Sequence, residues 1–118
     1  MNAHLLSDDL IFTSRVTGTG TSVGVAVRVA KSAEALLNLA RQQVPACVIL
    51  DLSNPGLKIV ECVTALKALA PPPTVVAYGS HVDTATLNAA RAAGCDRVMA
   101  RSQFVEELPK QLAAWAGG

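Results

Sequence analysis

Three carboxylates stand out by position. Asp8 and Asp9 follow the short apolar run "AHLLS" at residues 3–7, and Asp51 follows the bulky run "VIL" at residues 48–50. Each falls where an extended apolar segment stops, and Asp51 is trailed by Pro55-Gly56, a turn signal. Carboxylates crowded at one rim repel one another and raise each other's pKa unless a cation intervenes. One or two carboxylates, backbone carbonyls and waters make the usual Mg²⁺ arrangement. An aspartate beside such an ion can attack a phosphoryl group to form an acyl phosphate, while the metal offsets charge on the phosphoryl oxygens. The same residues also have a plainer use, with Asp9 capping a helix and Asp51 capping the turn before Pro55.

Bringing these acids together requires a particular succession of elements. The apolar pattern alternates between strand-like and helix-like periods. Strands are predicted at "AHLLS" (3–7), "VAVRV" (25–29), "ACVIL" (46–50), "TVVAY" (74–78) and "RVMA" (97–100). "ACVIL" is continuous and bulky, as a central strand covered on both faces would be. Helices are predicted at 32–43, capped by Ser32, at 57–70, stopped by Pro71-Pro72-Pro73, and at 83–94, from the Asp83 cap to Gly94. The last stretch, 102–116, contains Pro109 and is expected to become helical near Val105, so that the missing N–H falls in the first turn. Residues 10–23 carry Gly18 and Gly20, and a crossover helix frayed or broken in its second half is expected there. Alternating β and α segments with right-handed crossovers give an α/β, doubly wound, five-stranded parallel sheet of order 2-1-3-4-5. In that order the chain reverses between the first and third strands, and ligands bind at the carboxyl ends there. Asp8, Asp9 and Asp51 all fall at that rim.

Composition narrows the function classes. The 118 residues suit a single domain, and 51% hydrophobic against 16% charged residues argues against disorder. Four aromatic residues (Phe12, Tyr78, Phe104, Trp115) and a net charge of +1 leave neither stacking platforms nor a phosphate-backbone footprint for nucleic acid. Cys47, Cys62 and Cys95 lie in apolar surroundings without CxxC spacing, as core residues in a reducing compartment do. No leader and no membrane-length apolar run is visible, so a cytoplasmic location is expected. "TGTGTSVG" at 17–24 lacks the spacing and setting of a dinucleotide loop. His4 and His81 have no second histidine at ligand spacing, and Ser14 and Ser53 have no partner base for a hydrolase triad.

From His4 to about Trp115 the chain resembles a response-regulator receiver domain of two-component signalling. The segments that carry the resemblance are "SDD" after the first strand, "VILDLSNPG" at 48–56 and "AARAAGCDRVMARSQF" at 89–104. The resemblance implies that Asp51 is the phosphoacceptor and that Asp8 and Asp9, with Asp51 and the backbone carbonyl of Ser53, hold Mg²⁺. Pro55 matches the family's proline four residues after the acceptor. Arg101 falls at the position of the phosphate-contacting lysine; it keeps the charge but offers a planar fork in place of a compact ammonium. The family's switch Thr/Ser falls on Gly79, which has no hydroxyl, leaving neighbouring Ser80 as a substitute only if the chain turns there. The aromatic rotor position is Val98, and the family's proline after the lysine is Ser102. The acceptor is therefore expected to be intact and the relay altered.

The resulting expectation is a stand-alone, non-enzymatic, atypical receiver. It would take a phosphoryl group from a histidine kinase or phosphotransfer protein and signal to a downstream protein by contact. The fourth helix, fifth strand and fifth helix, with small residues Ala89, Ala92 and Ala93, would form the output or homodimer face. Two alternatives stay open: a phosphorylation-independent interaction module on the same fold, and a nucleotide- or flavin-binding sandwich. Neither DNA nor membrane binding is expected.

Overall fold

The computed structural model describes residues 1–117. Its strands are β1 (Asn2–Leu6), β2 (Ala26–Ala30), β3 (Cys47–Asp51), β4 (Thr74–Gly79) and β5 (Arg97–Ala100). They alternate with α1 (Leu10–Val23), α2 (Ala33–Gln42), α3 (Ile59–Lys67), α4 (Thr84–Ala93) and α5 (Arg101–Gly117). All pairings are parallel and the sheet order is β2-β1-β3-β4-β5, as the alternation of periods predicts.

Side-chain alternation on the strands splits the core in two. Ala3, Leu5, Ile49, Val76, Tyr78 and Met99 face Phe12 and Val16 of α1 and Phe104, Leu108, Leu112 and Trp115 of α5. Leu6, Val48, Leu50, Val75 and Ala77 face Leu36 of α2, Cys62, Val63 and Leu66 of α3, and Leu87 of α4. Each such aliphatic side chain contributes roughly 1.5–3 kcal/mol when fully buried. β3 is buried along its whole length, Asp51 included. The four aromatic rings form one stack in the first layer, with Phe12–Tyr78 centroids 4.8 Å apart, Tyr78–Phe104 4.4 Å and Phe104–Trp115 6.1 Å.

Two expectations about helices are corrected. The first helix is unbroken to Val23 and ends at Gly24 in the left-handed region, φ 77°. Gly20 does not loosen it: a Cβ there would lie 2.6 Å from the Val25 carbonyl oxygen and 2.7 Å from Val27 Cγ2, so glycine lets the helix touch β2. The hydroxyls of Thr17, Thr19, Thr21 and Ser22 donate back to carbonyls one turn earlier. The last helix starts at Arg101, not near Val105, and Pro109 lies in its interior. Buried Phe104, Leu108, Leu112 and Trp115 hold the helix through the proline, whose own side chain is exposed.

Candidate functional site

The register of the central strands decides what meets at the carboxyl rim. Leu6 pairs with Leu50 and Asp51 pairs with Tyr78. The residue after Leu6 is Ser7, so Ser7, Asp51 and Tyr78 stand side by side across three strands, all turned toward the α1 and α5 layer. Ser7 Oγ donates to Asp51 Oδ2 at 2.7 Å and accepts from the Asp9 N–H at 3.2 Å. Asp51 Oδ1 accepts from the Ser53 N–H at 3.0 Å and the Ser53 hydroxyl at 2.6 Å. Both oxygens of a carboxylate only 1% exposed are thus met by neutral donors. A buried charge needs such partners.

The expected acidic pocket is corrected by this geometry. Asp9 does not face Asp51: its Oδ1 accepts from the Ile11 and Phe12 N–H groups, at 3.0 and 3.1 Å, and caps α1. Asp8 is exposed beyond the end of β1. Among the described residues no three His, Cys, Asp or Glu side chains are grouped to hold a metal ion. Ser53 approaches Asp51 through its N–H and hydroxyl, both as donors. Of the set Asp8, Asp9, Asp51 and Ser53, the structure sets Ser53 beside Asp51, turns Asp9 into the α1 cap and leaves Asp8 exposed. Helix capping drew one acid away, and the ladder register set a serine beside Asp51.

Sequence reasoning missed Ser7, although the signal was there. Ser7 ends the first apolar run as Asp51 ends the third, so parallel pairing of those two runs sets them abreast.

Tyr78 completes the row from below. Its hydroxyl is buried with no hydrogen-bond partner among the described residues. Burial first, and the negative charge of Asp51 second, push its pKa up. The phenol stays neutral at any physiological pH.

Arg101 lies at the rim. Its Nη2 donates to Ser53 Oγ at 3.4 Å and its guanidinium carbon lies 5.3 Å from the Phe12 ring centroid. The residue is exposed and makes no ion pair among the described residues. Ser80 is exposed at the turn after β4, where its Oγ accepts from the Val82 N–H at 3.4 Å and its carbonyl from the Asp83 N–H at 3.1 Å. Gly79 is buried, and a Cβ there would meet Leu52 at 3.4 Å and Leu87 at 3.5 Å. Beside Gly79 and these two leucines lies a cavity of about 50 Å³ bordered also by Ser53, Ser80, Asp83 and Thr86. Val98 is half-buried against the opposite layer from the aromatic stack. His81 is exposed beside the mouth of the site. No helix among the described residues is long and apolar enough to cross a membrane.

No family model and no curated protein matches the sequence. Solved structures match its shape. The receiver domain of NtrX from Brucella abortus shares 19% identity, with 98% of each chain covered and a TM-score of 0.81. A response regulator from Thermotoga maritima shares 14%, covering 99% of this chain and 98% of that one, with a TM-score of 0.82. The receiver domain of Ssk1 from Saccharomyces cerevisiae, solved with the histidine phosphotransfer protein Ypd1, shares 16%, covers 99% and 89%, and scores 0.81. This chain spans 27% of a longer NtrX chain from Brucella abortus. At such identities the likeness is one of fold, and the fold of this chain is that of the response-regulator receiver domains.

Proposed function

We propose that this chain is a non-enzymatic, receiver-type signalling module that works by protein–protein contact without phosphorylation of Asp51. The observation that carries the reading is the engagement of both Asp51 oxygens by the Ser7 and Ser53 hydroxyls, in a layer where Asp9 serves as a helix cap. Of the acids expected beside it, Asp9 is taken up as a helix cap, which leaves fewer carboxylates to recruit a divalent ion that would offset charge on an incoming phosphoryl group. Glycine at position 79, packed by Leu52 and Leu87, supplies no hydroxyl to report such an event. The contact face is α4, β5 and α5, where Ala89 and Ala92 are exposed and allow close approach of a partner or a second copy. Three free thiols suit a reducing, cytoplasmic setting.

A second reading keeps Asp51 as a Mg²⁺-assisted phosphoacceptor, supplied by a histidine kinase or phosphotransfer protein. Arg101 favours it, because it brings to the rim, within reach of Ser53, a guanidinium with no ion-pair partner among the described residues. The two readings part in one experiment. The protein is incubated with acetyl phosphate and Mg²⁺ and its intact mass recorded, and beryllofluoride is titrated while amide shifts near Asp51 are followed. The first reading expects an unchanged mass and no saturable shift. A gain of one phosphoryl group that Asp51→Asn abolishes would overturn it in favour of the second.

A further inference from the structure

His4 lies on the opposite face of β1 from Ser7. Ala3 and Leu5 point into the α1 and α5 layer, so by alternation His4 and Leu6 point into the layer that holds Leu36 and Ala40 of α2. α2 packs on β1 and β2 and covers this part of the sheet. The imidazole is wholly buried, and neither ring nitrogen meets a hydrogen-bond partner among the described residues. A proton added there would create a buried charge with nothing to pair it.

No element around the ring supplies a counter-charge. On β2 the residue in register with His4 is Arg28, itself a cation. On β3 it is Val48, and Asp51 of that strand faces the other layer. From α2 come Leu36 and Ala40, while Glu34 and Arg41 are exposed. From α3 comes the Cys62 thiol, which burial keeps neutral by pushing its pKa up to about 11. Lys58 and Glu61 are exposed, and Lys67 is paired with Asp96. Burial chiefly, and Arg28 secondarily, hold the imidazole pKa below its ordinary 6.5. What covers the ring is also lightly held. α2 has ten residues, of which Leu36 and Ala40 are the buried ones. A helix so short is marginal by itself, and few buried contacts mark a unit that opens before the whole domain does.

We propose that α2 is an acid-released flap, seated on the sheet while His4 is neutral and lifted from it when the ring takes up a proton. Release uncovers Leu36, Ala40 and the face of β1 and β2 beneath them, and leaves β3, β4 and α5 in place. The inference is independent of either reading of Asp51. The open form binds a proton that the closed form refuses, so opening is rare above pH 6.5 and grows as pH falls below it.

The test is residue-resolved amide hydrogen exchange on the folded protein, corrected for the intrinsic effect of pH. The α2 amides are expected to be less protected than those of β3, and to lose up to about tenfold in protection between about pH 7.5 and about pH 5.5. His4→Leu is expected to hold α2 protection constant over that range. If this variant folds poorly, the wild type decides alone: the His4 ring resonances, read against exposed His81, are expected to titrate together with the loss of α2 protection. Protection of α2 equal to that of β3 at both pH values would make global unfolding the only route to the ring, and would overturn the proposal. So would α2 protection that ignores pH, the same change in His4→Leu, or a His4 ring that titrates while α2 stays protected.

Discussion

Ser7 Oγ sits 2.7 Å from Asp51 Oδ2, two residues 44 apart in the chain but abreast in the sheet. This contact makes the rim a hydroxyl-held carboxylate where a metal-binding pair of acids was expected. Ser7→Ala removes a donor from a buried charge and is expected to cost about 1–3 kcal/mol in urea unfolding. Tyr78→Phe, at a hydroxyl that has no partner, is expected to be neutral or stabilising. If the two variants lose equally, Ser7 is not what holds the carboxylate.

Ser7→Asp reverses the logic. It sets a second carboxylate beside Asp51, and repulsion should destabilise the fold in the presence of a chelator. Added Mg²⁺ is expected to raise the Tm of this variant and leave that of the wild type unchanged. A wild-type Tm that rises with Mg²⁺ would show that the existing donors already suffice for a cation.

Gly18 and Gly20 look alike in sequence and should behave oppositely. Gly18 faces open space, so Gly18→Ala is expected to stabilise by about 0.5–1 kcal/mol through helix propensity. Gly20→Ala gains the same propensity but drives a Cβ against the Val25 carbonyl, for a net loss of about 1–3 kcal/mol. Chemical denaturation of both variants checks the pair.

His4 is wholly buried, and neither ring nitrogen is hydrogen-bonded among the described residues. Burial chiefly, and Arg28 secondarily, hold its pKa below the ordinary 6.5. Below pH 6.5 the unfolded chain therefore binds a proton that the folded chain refuses. Stability contributed by neutral His4 is complete above that pH and falls as acid is added, by no more than about 1.4 kcal/mol per pH unit. His4→Leu is expected to flatten this slope in unfolding measurements between about pH 7.5 and about pH 5.5. An unchanged slope would place the acid sensitivity elsewhere.

Pro109 interrupts α5 at an exposed position. Pro109→Ala returns an N–H to the helix interior and should raise stability by at least about 1 kcal/mol. A loss would mean that the ring is packed rather than merely tolerated.

What the sequence by itself determined is the architecture. Continuous apolar runs such as "ACVIL" and capped helical runs such as 83–94 specify local structure within a few residues, and their alternation leaves one sheet order as the natural choice. Asp51 and Arg101 were legible as rim residues for the same reason, since each lies next to the end of a strand. Local signals failed where a competing contact from elsewhere prevailed. Gly20 reads as a helix breaker until β2 is seen lying against it, and Pro109 reads as a first-turn residue until the aromatic and leucine face of α5 is seen to bury on both sides of it.

Only the tertiary structure decided the character of the site. Asp8 and Asp9 are equivalent as text, yet the N-terminus of α1 draws Asp9 into its cap and leaves Asp8 in solvent. The residue that does reach Asp51 is set by strand register, which depends on where two distant runs pair. Proximity across a sheet is a property of that pairing, and a single residue of offset exchanges a carboxylate for a hydroxyl.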